Sequence, residues 1–180
     1  MRLNRHVDSG EPPAPGWQHA GFAAAAFLAA FTASLSSFAE GNNGPFANLD
    51  GIWSGSGTIS LADGTKERMR CRNQYLVREG GTNLQQALRC ASDSYEFHVN
   101  TYVDAHDDGA LSGNWTEMTR NVSGRVTGKV AANKIQVSVG NLGGFSATMS
   151  IATTGNRQAV KIEPKGTDVT LVSVTLTKAK

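Results

Sequence analysis

From Leu49 onward, apolar and polar residues alternate with a period of two, in short runs separated by turn residues. Successive side chains on a β-strand point to opposite faces, so each run reads as a strand with one buried and one wetted side. Ile52 to Leu61 is the first run, and Gly55 and Gly57 within it allow a sharp bend. Ala62-Asp63-Gly64-Thr65 is a turn, and Lys66 to Val77 is the second run. Leu84 to Ala91 then brings Cys90 back toward Cys71, although LQQALRCA also fits a helical turn. Tyr95, Phe97, Val99, Thr101 and Val103 share one face of the next run, and Leu111, Gly113 and Trp115 one face of the run after it. Val122 to Val130 alternates strictly with Ser123, Arg125, Thr127 and Lys129. Ile135 to Val139, Phe145 to Ile151, Val160 with Ile162, and Val172 to Leu176 complete the series. The runs restart about every 10–12 residues, the spacing of an antiparallel sandwich or barrel. No stretch holds a 3.6 period over about 11 residues, which argues against crossover helices and a parallel sheet. The chain therefore reads as all-β: a single antiparallel up-and-down meander of about 8–10 strands, closed into a barrel so that no edge is exposed.

The first 39 residues follow a different pattern. Arg2, Arg5 and His6 give a basic start, Ala20 to Ala39 carries no charge, and Ser37-Phe38-Ala39 places small residues before Glu40. That is the pattern of a signal peptide with its cleavage box; a retained membrane anchor is the alternative for an apolar run of this length. Residues 1–39 are thus expected to be a leader, 40–49 a flexible lead-in, and 50–180 the β-barrel domain. Export to a periplasm or secretion agrees with the cysteines, since Cys71 and Cys90 are the chain's only two and an even count in an oxidising compartment reads as a disulfide. Two buried thiols are the alternative, and a metal site is disfavoured because neither a CxxC nor a His pair accompanies them.

Net charge is only +2, and with export expected this argues against a nucleic-acid partner. The sharpest chemical feature is local. Lys66, Arg68, Arg70 and Arg72 are spaced by two and must project from one side of the second strand, with Met69, Cys71, Asn73 and Tyr75 on the other. Such a ladder suits an anionic partner; the plainer explanation is a wetted face neutralised by carboxylates on adjacent strands. His98 with Glu96 could do acid–base work, but such a pair on the polar face of a strand is more often a surface pair. His106 among Asp104, Asp107 and Asp108 lacks the ordered spacing of a cation loop and reads as a solvated turn. No nucleophile elbow, phosphate-binding loop or metal-protease motif is present, so no catalytic residue, metal or cofactor is assigned. Trp53, Tyr75, Phe97, Trp115 and Phe145 could line a ligand pocket or simply pack the core. Inward Gly113, Gly124, Gly128 and Ala147 would leave interior room or let the strands coil tightly.

Two local motifs carry a family resemblance. Leu49-Asp50-Gly51-Ile52-Trp53 resembles the Gly-x-Trp that opens many lipocalin-like (calycin) barrels, where the Trp closes the barrel base. Asp108 to Trp115, DGALSGNW, resembles the second-strand pattern of avidin-like barrels. The resemblance implies a calycin-like barrel with a ligand inside. The chain departs from the lipocalin pattern in having no Arg in its last strand, only Lys178 and Lys180, and from the avidin pattern in holding only Trp53 and Trp115 after the leader. The expected function is an exported, monomeric, non-enzymatic binding protein for a small apolar or amphipathic ligand or an anionic partner. A protein-interaction module such as a protease inhibitor, and a barrel isomerase using Glu96 and His98, are the alternatives.

Overall fold

The computed structural model describes residues 43–180, so the leader and the start of the lead-in lie outside the described residues. Ten strands follow one another: β1 Gly51–Leu61, β2 Lys66–Arg78, β3 Asn83–Ala91, β4 Glu96–Ala105, β5 Ala110–Glu117, β6 Val122–Ala131, β7 Lys134–Gly140, β8 Ser146–Thr154, β9 Arg157–Lys165 and β10 Val169–Lys178. Each pairs antiparallel with its chain neighbours, and β10 pairs with β1 to close the barrel. The segment Leu84–Ala91 is a strand and not a helical turn, because β2 and β4 flank it in continuous register. Among the described residues no helix is long and apolar enough to cross a membrane.

The period-two alternation becomes an inside and an outside. On β2, Met69, Cys71, Asn73 and Tyr75 are buried while Arg68, Arg70, Arg72 and Gln74 are exposed. The strands are tilted, as closure requires. The directly opposed row that starts at Trp53 runs through Asn73, Leu88 and Val99 and reaches Glu117 at the far end of β5. Inward glycines mark where neighbouring strands come closest. A Cβ on Gly113 would lie 2.0 Å from the Tyr102 carbonyl oxygen, and one on Gly124 would lie 1.9 Å from that of Gly140. These two glycines therefore allow tight coiling and do not create interior room.

One end of the barrel is plugged. The lead-in expected to be flexible instead turns into a short 3-10 helix, Ala47–Leu49, that sets Phe46 and Leu49 beneath Trp53. Phe46 and Trp53 are both 0% exposed. The plug is tied to the β2–β3 loop by Gly44 N donating to Gly80 O at 2.8 Å and Phe46 N to Gly81 O at 3.0 Å. At the opposite end, Phe97, Val99, Val122, Phe145 and Met149 face inward but are only half-buried. That end is the mouth.

Candidate functional site

The basic ladder lies on the outer wall, and the register shows what surrounds it. On the β1 side, Arg68, Arg70 and Arg72 stand opposite Thr58, Ser56 and Ser54. On the β3 side, Arg70 is opposite Ala91 and Arg72 is opposite Arg89. Arg89 is in turn opposite His98 on β4. Adjacent strands thus supply hydroxyls, small residues and a further cation where neutralising carboxylates were the plainer expectation. Like charges directly opposite across a ladder destabilise it. The ion pairs among the described residues are His98–Glu96 at 2.9 Å, Arg120–Glu117 at 3.6 Å and Lys161–Glu163 at 2.7 Å, and none involves Lys66, Arg68, Arg70, Arg72 or Arg89.

These arginines border an open concavity of about 430 Å³, lined by Arg70, Arg72, Arg89, Ala91, Glu96 and His98 with Cys71 and Cys90 in its floor. A second outer hollow, about 680 Å³, crosses β7 to β10 and β1 over a floor of Ser56, Ser173, Ser150 and Ala159, with Arg68, Lys134 and Lys161 among its lining. Glu96 is turned to His98 Nε2 and pairs with no arginine. Arg89 was not among the residues singled out from the sequence. It was findable there: if Cys71 and Cys90 are opposed on antiparallel strands, the next residue on β2 must face the previous one on β3.

Directly inside this wall Cys71 and Cys90 form the expected disulfide, with Cα atoms 4.1 Å apart. The five aromatic candidates are not gathered at one place. Trp53 and Tyr75 sit at the plugged end, edge to face with ring centroids 6.4 Å apart. Trp53 Nε1 donates to Leu49 O at 2.7 Å, and Tyr75 Oη donates to Gln158 Oε1 at 3.0 Å. Burial pushes the Tyr75 hydroxyl up to about 12. Lys178 Nζ lies 5.8 Å from the Trp53 ring centroid and donates to Asn48 O at 3.2 Å. The last strand therefore does place a cation over the base tryptophan, as a lysine in place of the arginine of the lipocalin pattern.

Trp115 is buried against Phe145, with centroids 5.6 Å apart. Its indole Nε1 and both amide atoms of Asn73 are buried without hydrogen-bond partners. Phe97 is at the mouth, stacked on Tyr95 at 6.2 Å and covered by the Arg120 guanidinium 5.5 Å above its ring. Tyr95 Oη donates to Asp168 Oδ2 at 2.8 Å, which raises the Tyr95 pKa and ties two mouth loops together. Glu117 holds a third mouth loop. It accepts from the backbone N–H groups of His98, Thr119 and Arg120 and from the Thr119 hydroxyl. Burial alone would push its carboxyl up, but these bonds outweigh burial and hold it down at about 2. Met118 and Leu142, on neighbouring mouth loops, are exposed apolar tips. His106 bonds Ser112 Oγ at 2.8 Å, and among the described residues no group of three or more His, Cys, Asp or Glu is placed to hold a metal ion.

The chain is a closed antiparallel barrel of chain-neighbour strands, opened by Gly-x-Trp over a 3-10 plug, and it shares its fold with calycin-like barrels. Two solved structures agree on the fold, the first two of the three similar structures that follow. The crystal structure of Rv2717c from M. tuberculosis aligns with a TM-score of 0.59 at 11% identity, over 74% of this chain and 94% of that one. The S-type phycobiliprotein lyase CPES from Guillardia theta aligns with a TM-score of 0.50 at 12% identity, over 75% and 90%. A redesigned beta barrel, mFAP1, bound to DFHBI, aligns at 0.43 with 14% identity, over 73% and 95%. No family model matches the sequence, and no curated protein matches it.

Proposed function

We propose that the chain is an exported, non-enzymatic binding protein that captures an anionic partner on the basic outer wall of its barrel. The observation that carries this reading is the opposition of Arg72 to Arg89 beside Arg70, with no ion pair to any of the three among the described residues. An arrangement that costs folding stability is explained when a partner's negative charge completes it. Export is supported by the leader pattern of residues 1–39 and by the Cys71–Cys90 bridge, since such bridges persist in oxidising compartments. One barrel of similar shape is named a lyase, so the non-enzymatic reading rests on the site and not on the fold. Glu96, the carboxylate nearest a histidine base, is 62% exposed on the outer wall, outside any dry cleft.

The test is retention on an immobilised polyanion as salt is raised. Binding should weaken steeply with salt, and Arg70→Glu should move elution to lower salt. Binding that ignores salt, or an Arg70→Glu protein that elutes with wild type, would rule the reading out. A second reading has its own observation. Half-buried Phe97, Val99, Phe145 and Met149 face inward below the exposed tips Met118 and Leu142, which suits a small amphipathic ligand in the mouth. Native mass spectrometry of the exported protein tests it: a retained small molecule supports the mouth, and an unloaded chain counts against it.

A further inference from the structure

We propose that the concavity over the disulfide is a site for one tetrahedral oxyanion, a phosphate or sulfate group, clamped between Arg72 and Arg89 with Arg70 as a third contact. This rests on the anionic-partner reading and narrows it from a charged wall to a single chemical group. In an antiparallel ladder, narrow non-hydrogen-bonded pairs alternate with wide hydrogen-bonded pairs. The 4.1 Å Cα separation of Cys71 and Cys90 marks a narrow pair, so the adjoining Arg72 and Arg89 form a wide one. Two guanidinium forks rooted across a wide pair can each offer parallel N–H donors to two edges of a tetrahedral anion, the geometry in which arginine surpasses lysine.

The surroundings leave room for such a group. Ala87 and Ala91 flank Arg89 on the outer face of β3, and Ser54 and Ser56 stand behind Arg72 and Arg70 on β1. Glu96 is the one carboxylate in the lining, and His98 engages it at 2.9 Å. The disulfide gives the clamp its order. A covalent tie one residue away, on the inner face, holds the two strands together where the outer face repels, so the forks stay opposed before any anion arrives.

The experiment follows the arginine Nε–Hε signals of the full-length chain by NMR during titration with inorganic phosphate, sulfate and acetate at constant ionic strength. Phosphate and sulfate should shift the Arg72 and Arg89 signals saturably, and acetate should need about tenfold more for the same effect. Arg89→Gln should weaken phosphate binding at least about tenfold, whereas Arg68→Gln should leave it within about twofold. Both variants change exposed positions, and cooperative melting at or above the wild-type temperature certifies their fold. Shifts spread evenly over Lys66, Arg68, Arg70 and Arg72 without saturation, or an Arg89→Gln protein that binds phosphate normally, would overturn the site. Retention on the polyanion column without a saturable phosphate site would sink this proposal and leave the broader reading standing, whereas loss of both would sink the two together. Vesicles of phosphatidylcholine with and without phosphatidic acid separate the sources. Capture that needs both phosphatidic acid and Arg89 supports the site as one for a lipid headgroup, and saturable phosphate binding without vesicle capture supports it as one for a soluble ester.

Discussion

The two faces of the β2–β3 hairpin obey opposite rules. Inside, Met69, Cys71, Tyr75, Leu84 and Cys90 are buried, and the face is closed covalently. Outside, on the same residues' neighbours, Arg70, Arg72 and Arg89 are crowded together, exposed and without partners among the described residues. One backbone register fixes both. The inner face stabilises the barrel by removing apolar surface from water. The outer face opposes folding by like-charge repulsion. A charge cluster of this kind is sustainable only over a part of the fold strong enough to hold it. Stability and anion binding should therefore respond to different faces of the same strands.

The sharpest break in that comparison is Trp53→Ala, which should cost about 3–5 kcal/mol by emptying the plugged end. Denaturant melts should report it while polyanion retention of the folded fraction stays unchanged; a neutral result would mean the plug does not hold the barrel. Cys71→Ser should cost about 3 kcal/mol. Its melting should also become salt-dependent, rising with salt as Arg72 and Arg89 are screened, and equal melting with and without reductant in the wild type would count against the bridge.

Acid tests the mouth. Because Glu117 sits at about 2 in the folded state against an ordinary 4.5, its contribution is complete above pH 4.5 and disappears as pH falls toward 2. The shift corresponds to at most about 3 kcal/mol. Glu117→Gln should remove that slope from the stability–pH curve, and an unchanged slope would show that Glu117 does not cause it. The smallest effect has the opposite sign. Arg89→Gln should leave stability unchanged or raise it by up to about 1 kcal/mol at low salt, with the gain shrinking as salt rises. A clear loss of stability would show that the outer cluster is not repulsive.

Much of this was legible along the chain. Strand after strand follows the alternation, and Gly51-Ile52-Trp53 marked the base of the barrel. Three features were not legible. Leu84 to Ala91 suited helix or strand locally, and the backbone groups of β2 and β4 decided it. Residues 40–49 read as a lead-in, but Phe46 and Leu49 within them found an open barrel end to fill. Lys178 looked like the loss of a family feature until closure of β10 onto β1 brought it over Trp53.

The sequence by itself determined which residues face inward, because side-chain direction on a strand depends only on local parity. It also determined that a cation ladder stands outside and that a cysteine stands inside. Tertiary structure alone decided what each face meets, because that depends on register between strands, a relation between distant residues. Register placed Arg89 beside Arg72, laid the inward glycines against neighbouring carbonyls, and set the aromatic residues at both ends of the barrel, from plug to mouth.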